Sequence, residues 1–220
     1  MKKYLKQLQK NDLFNNFNFN EMESILNCLS AKVNYYRKKD IIIHQGDPNV
    51  HYVGIVLSGG IQIIKEDIEG NINIFSHLGI NDIFAETFAY ANIYEFPVTV
   101  QATKDCEIMC IDCKRIIKTC NHACAFHWKL IENMISIIAR KNIMLNQKMA
   151  ILSKRTIKEK LLAFFNMQIQ INHSKKFSIP YNREELAFYL CVDRSSLSRE
   201  LCNMRDEGLL KFTKNEFELL

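Results

Sequence analysis

Two arginines and three serines stand between positions 194 and 199, inside the stretch CVDRSSLSREL at 191–201. An arginine carries forked N–H donors that can engage two acceptors at once, as on the N7 and O6 edge of guanine, and a serine hydroxyl bonds to bases or phosphates. On a helix that begins at 194, Arg194, Ser195, Ser198 and Arg199 share one face, at i, i+1, i+4 and i+5. Leu197 and Leu201 turn the other way. A core helix has no use for so many small polar side chains in its first turns. A helix that must approach a polyanion closely does, because bulk there would hold it off. The plainer alternative makes Arg194 and Arg199 solvated charges that pair with Glu184 or Glu200, and spacing alone does not separate the two.

The flanking sequence says what positions this face. Asn182, followed three residues on by Glu185, has the capping-box pattern and opens a helix over REELAFYL. CVD makes a turn, and Asp193 caps a second helix that runs from Arg194 to about Glu207 and stops at Gly208. Two helices joined by so short a turn are a helix-turn-helix, with Leu197 and Leu201 facing Leu186 and Leu190, and the first turns of its second helix enter the major groove of DNA. LLKFTKNEFELL predicts two short strands around Lys214-Asn215, a small wing. Upstream, Ser153 or Thr156 caps a helix through IKEKLLAFFNMQIQI, NHSKK is a polar loop, and FSIP is a short strand. The charge agrees. Residues 1–140 hold 15 Lys/Arg and 15 Asp/Glu, while residues 141–220 hold 14 and 9, so the whole excess of +5 lies in the last third. Lys175, Lys176, Arg205, Lys211 and Lys214 are the candidates for holding phosphates.

Residues from about 122 to 152 contain neither Gly nor Pro and carry two apolar stripes. Ile131, Ile135, Ile138, Asn142, Leu145, Met149 and Leu152 step alternately by four and three, a heptad seam with Ile135, Asn142 and Met149 at a. A single Asn at a costs stability but favours a parallel, in-register dimer. Leu130, Met134, Ile137, Met144 and Ile151 form the second stripe. One surface can pack on the rest of the chain and the other on a second copy; a long helix buried within a monomer is the alternative.

The region from about 33 to 112 reads as short strands: DIIIHQGD, the runs around Gly59-Gly60 and Glu69-Gly70, and two more around Lys104-Asp105. Turn residues every eight to twelve positions predict a sandwich or barrel. Helical signals flank it in NEMESILNCLS and CKRIIKTC. The start, MKKYLKQLQKNDLF, has charge but no apolar run after it, which argues against a signal peptide, and no stretch reaches the length of a membrane span. A cytoplasmic protein with reduced thiols is expected, with no membrane partner. No P-loop, G-x-S-x-G or H-E-x-x-H is present, and His51 and His77 have no nucleophile at a telling spacing, so no enzyme is expected. A dimeric interaction module that does not bind DNA is the rival of another class, but it leaves Arg194 and Arg199 unexplained.

The sequence resembles the cyclic-AMP receptor protein and fumarate-nitrate reductase regulator (CRP/FNR) family over nearly its whole length. IIIHQGD is similar to the start of that family's β-roll, INDIFAE to the turn that leads into its phosphate-binding cassette, and REELAFYLCVDRSSLSREL to its helix-turn-helix. The resemblance implies an α+β chain: a double-stranded β-helix, the cyclic-nucleotide-binding-like β-roll, with an N-terminal helix over 1–121; a dimerisation helix over 122–153; and a winged helix-turn-helix over 154–220. It implies that Arg194, Ser195 and Arg199 contact bases, with Ser198 added from the helix face. It also implies a homodimer on a palindromic double-stranded operator, with RNA polymerase a further partner that this reading admits. Cys191 departs from the family's common glycine and is strained if that position needs a positive φ.

The effector is where the resemblance weakens. Cyclic-nucleotide binders of the family carry a Gly-Glu pair and, about ten residues on, an Arg-Ser pair that holds the ribose and the phosphate. Here Ala85-Glu86 stands at the first and Phe96-Pro97 at the second. Phe has no donor and Pro no N–H, so a buried phosphate would lack its partner. Cyclic AMP is therefore not expected, and the small-molecule effector is unknown. Glu86, Thr87, Phe84, Phe88, Phe96, Pro97 and Val98 mark the candidate pocket, and Phe84, Phe88, Tyr90, Tyr94 and Phe96 line or fill it. A haem, metal or thiol sensor of the same fold is the alternative. Cys106, Cys110, Cys113, Cys120 and Cys124 fall within nineteen residues, so an iron–sulfur cluster is conceivable, although the family's N-terminal cysteine set is reduced here to Cys28. His44, His77, His122, His127 and Met134 are conceivable haem ligands, without a distinguishing motif. No metal site is assigned.

Overall fold

The computed structural model describes residues 2–48, 50–66, 69, 72–91, 94–117 and 125–220. Gly70 of the Glu69-Gly70 turn, Cys120, His122 and Cys124 lie outside the described residues, as does the boundary placed at 121–122. The chain forms two compact units, residues 1–140 and 141–220.

The first unit opens with α1 (Leu5–Leu8) and α2 (Phe19–Cys28). Asn18 caps α2 by accepting from the Glu21 N–H while the Glu21 carboxylate accepts from the Asn18 N–H, a complete capping box. The strands follow as β1 (Lys32–Tyr36), β2 (Ile41–Ile43), β3 (Tyr52–Ser58), β4 (Ile61–Glu66), β5 (Ile72–Leu78) and β6 (Ile83–Phe84). Then come helix α3 (Glu86–Ala91), β7 (Thr99–Ala102), β8 (Cys106–Asp112) and helix α4 (Cys113–Ile117). Among the described residues they form two antiparallel sheets, ordered β1-β8-β3-β6 and β2-β7-β4-β5. Gly59 makes the turn from β3 to β4 at φ +79, and a Cβ there would fall 2.2 Å from the Asp105 carbonyl oxygen, so no other residue fits.

Strand alternation divides the core. In β8, Met109 and Ile111 join Val53, Ile55, Met22, Ile25 and Leu26 in one cluster, between the sheet and the helices. Cys106 and Ile108 point the other way, into the roll, with Val56, Ile61, Phe84, Phe96, Val98 and Val100. That is the period-two pattern of a strand buried on both faces. The N-terminal turns, which carry no strong sequence signal, are held by burial of Tyr4, Leu8, Leu13 and Phe14 in the first cluster.

Helix α5 (Ala125–Leu152) is unbroken and contains neither Gly nor Pro. The second unit adds α6 (Ile157–Asn172), β9 (Lys176–Ser178), α7 (Arg183–Leu190), α8 (Arg194–Asp206), β10 (Leu210–Thr213) and β11 (Glu216–Leu219). Thr156, rather than Ser153, caps α6, in a capping box with Glu159. Strands β10, β11 and β9 make one antiparallel sheet, the predicted wing with FSIP as its third strand. Leu186, Leu190, Leu197 and Leu201 are fully buried together with Phe164, Phe165 and Phe217, each side chain contributing about 1.5–3 kcal/mol.

Candidate nucleic-acid interface and effector pocket

Helices α7 and α8 are set by their caps. Asn182 accepts from the Glu184 and Glu185 N–H groups and Glu185 returns the bond. Asp193 accepts from the Ser196 N–H and the Ser195 hydroxyl at the start of α8, and these bonds hold its carboxyl below the usual carboxylate range. Between them Cys191 has φ +51 and ψ +55, so the position does demand the left-handed region, and an L residue with a Cβ fills it under strain.

Leu197 and Leu201 are buried, while Arg194, Ser195 and Arg199 are exposed and Ser198 is half-exposed. Ser198 Oγ donates to the Arg194 carbonyl at 2.9 Å, which uses its single hydrogen and leaves it an acceptor. Among the described residues neither Arg194 nor Arg199 forms a salt bridge, with Glu184, Glu200 or any other carboxylate. Lys175, Lys176, Lys211 and Lys214 are exposed. Arg205 is engaged by Asp206 through Nη2 at 2.9 Å, which weakens its claim to a phosphate. Asn182, Arg183, Glu184, Arg194, Lys214 and Asn215 frame a groove of about 510 Å³ between the wing turn and the helix starts.

On α5, Leu130, Met134 and Ile137 are buried in the first unit's core and Ile151 in the second's. Met144 departs from expectation: it is exposed, because nothing between residues 139 and 150 is buried. On the seam face Ile135, Leu145 and Met149 are 62%, 64% and 64% exposed. Asn142 is exposed too, its Oδ1 accepting from Asn146 at 2.6 Å. Ile131 and Ile138 are half-covered by the core, and Leu152 is half-buried.

In the roll, Phe84, Phe88, Phe96 and Val98 come together in one apolar cluster, whereas Thr87 is exposed. Phe84, Phe96 and Val98 are buried, Phe88 packs edge-on against Phe96 with centroids 4.8 Å apart, and Pro97 is half-buried beside them. Glu86 is 3% exposed and accepts from the Thr87 hydroxyl at 3.1 Å. Two aromatics fall elsewhere: Tyr90 packs against the helix-side cluster and Tyr94 is 75% exposed. Ala85 has φ +65, a conformation that favours glycine. Phe96 carries no side-chain donor and Pro97 no N–H, so neither can serve a phosphate.

Cys106 and Cys113 are buried and Cys110 is half-buried. Burial pushes the Cys110 thiol up to about 11 and raises Cys106 and Cys113. Cys113 donates to the Ala89 carbonyl at 3.6 Å. Among the described residues no group of three metal-ligating side chains converges. His127 is buried, with Nε2 3.9 Å from Cys28 Sγ and Nδ1 without a partner. Arg183, whose side chain ties the helix-turn-helix to the wing, carried no motif signal.

Comparison with known proteins places these features. Residues 33–122 match the cyclic nucleotide-binding domain and residues 159–220 the Crp-like helix-turn-helix domain. No curated protein sequence matches. Similar solved structures include the CLP regulator of Xanthomonas campestris, at 16% identity and TM-score 0.59 over 92% of this chain and 99% of that one. DNR from Pseudomonas aeruginosa gives 17% and 0.52 over 100% and 95%. The catabolite activator protein of Thermus thermophilus gives 17% and 0.50 over 96% and 94%. Identities so low establish the fold alone. No helix among the described residues is long and apolar enough to cross a membrane. With a cyclic-nucleotide-type roll, a long helix and a Crp-like helix-turn-helix in that order, the chain belongs to the CRP/FNR family of DNA-binding transcription regulators.

Proposed function

We propose that this protein is a homodimeric, sequence-specific regulator of transcription whose effector is not cyclic AMP. The observation that carries the reading is the exposed Arg194, Ser195, Arg199 face at the start of α8, seated on buried Leu197 and Leu201. The open stripe of Ile135, Leu145 and Met149 around Asn142 supports pairing of two α5 helices. Such a dimer presents two α8 helices to half-sites about one helical turn apart, roughly 34 Å. Lys175, Lys176, Lys211 and Lys214, and more weakly Arg205, fix the register on phosphates without reading sequence.

The effector acts at the roll by shifting the balance between two dimer arrangements, with residues 152–155 as the hinge. Phe84, Phe88 and Phe96 favour an apolar effector over a nucleotide. CLP, of the same fold, is described as c-di-GMP responsive, so an effector other than cyclic AMP suits this architecture. The fold of a regulator and the absence of a catalytic motif support a protein that is no enzyme, at work in the cytoplasm with RNA polymerase.

The test is selection of duplexes from a random pool. A two-fold symmetric sequence with half-sites about ten base pairs apart is expected, bound with affinity that falls steeply as salt rises. Millimolar cyclic AMP should leave that affinity unchanged. Recovery of no sequence preference would overturn the reading, and tighter binding with micromolar cyclic AMP would overturn its effector half.

A further inference from the structure

Arg183 occupies the first turn of α7, where the helix dipole disfavours a cation. Other contacts hold it there. Its guanidinium carbon lies 4.9 Å from the Phe212 ring centroid and 5.1 Å from that of Phe217. Nη2 donates to the Lys214 carbonyl at 2.9 Å, and Nη1 is buried without a partner. Phe212 and Phe217 face each other across β10 and β11, and Lys214, at φ +53, stands in the turn between those strands. From the other side the Ile179 N–H donates to the Asn215 carbonyl at 3.0 Å. Both carbonyls of the wing turn are thus tied to the body of the unit, one by backbone and one by Arg183.

We infer that Arg183 is a positioning residue that clamps the wing to the helix-turn-helix. It thereby fixes where Lys211 and Lys214 meet DNA relative to Arg194 and Arg199, instead of meeting a phosphate itself. To reach a phosphate the guanidinium would have to swing outward, releasing the Lys214 carbonyl and uncovering two phenylalanine rings. A guanidinium suits the place because it is planar, weakly hydrated and able to stack and donate at once; an ammonium is none of these. The inference rests on the DNA-binding reading above for its consequence, but not for its first readout.

The experiment uses the full chain with Arg183→Lys and Arg183→Gln. In the free protein, amide exchange across residues 210–219 should quicken by about tenfold or more in both variants, while α7 and α8 keep their protection. On the selected duplex, Arg183→Gln should weaken binding by a similar factor for every base-substituted version. The slope of log Kd against log salt should stay unchanged, whereas Lys214→Ala lowers it by about one. Unchanged exchange at 210–219 would overturn the clamp, and so would a salt slope that falls by about one in Arg183→Gln. If the wild type selects no duplex, the DNA-binding reading fails while the exchange measurement still decides the clamp.

Discussion

The ring of Phe84 lies across Gly54 so closely that a Cβ on Gly54 would fall 2.2 Å from its Cζ. The two are register partners where β6 meets β3, and the ring is buried among Val56, Val98 and Val100 in the roll. Gly54 is therefore what lets Phe84 fill the roll. Gly54→Ala must displace a ring in a close-packed interior, at a cost of about 1–3 kcal/mol. Phe84→Ala leaves a void and costs about 3–5 kcal/mol. Urea midpoints at constant slope measure both, and an unshifted midpoint in Gly54→Ala would show that the ring has room to move.

On α5 the seam face is open over Ile135, Leu145 and Met149, and the opposite face is buried at Leu130, Met134 and Ile137. A charge at Leu145 touches no core, so Leu145→Glu should leave the far-ultraviolet circular dichroism intact while sedimentation shifts from dimer to monomer. Asn142→Leu should do the reverse: it strengthens association but loosens register, since the amide no longer selects one alignment. A Leu145→Glu protein that sediments like the wild type would place the interface elsewhere.

Cys191 sits at φ +51 in the turn of the helix-turn-helix, exposed, with its Cβ in the left-handed region. Glycine removes that penalty and gives up no buried surface, against a gain in unfolded-chain entropy. Cys191→Gly should stabilise the protein by about 1 kcal/mol, read from the urea midpoint, and leave DNA affinity unchanged. A lower midpoint would mean that the side chain makes a contact outweighing the strain.

Cys191 also shows what the sequence makes legible. Signals within four residues came through: the Asn182–Glu185 capping box, Asp193 at the start of α8, the Gly59 turn and the Lys214-Asn215 hairpin all encode their conformations locally. The helix over 86–91 and the turns before Phe14 did not, because they are short and are held by burial instead of propensity. Proximity in sequence puts Tyr90 and Tyr94 with Phe96 around the candidate pocket, yet Tyr94 is exposed and Tyr90 packs on a different cluster. Arg183 was invisible because its partners, Phe212 and Phe217, meet it only once the wing has folded back.

The N-cap of α8 gives a pH dependence of definite sign. The Ser195 hydroxyl and the Ser196 N–H donate to the Asp193 carboxylate and lower its pKa in the folded state. A group whose folded pKa is depressed contributes stability above its unfolded pKa, and loses it as pH falls through the folded value. Asp193→Ala should therefore melt lower than the wild type at neutral pH. The difference should shrink as pH falls from the ordinary carboxylate range towards the lowered folded value and vanish below it. Calorimetry at several pH values measures this, and a constant offset would assign the loss to something other than the charged cap.

Arg199 lies one turn beyond Ser195 on the exposed face of α8 and, among the described residues, has no ion-pair partner to compete with DNA. If its two donors engage one base, Arg199→Ala should cost about 1–3 kcal/mol on the selected duplex and relax preference at one position in each half-site. If it meets a phosphate, the loss should be uniform across substituted duplexes and the salt slope should fall by about one. Lys176→Ala should follow the second pattern, since Lys176 stands on β9 and not on α8. Anisotropy titrations of both variants against each single-base substitution separate readout from positioning, and Arg199 and Lys176 behaving alike would remove Arg199 from the reading face.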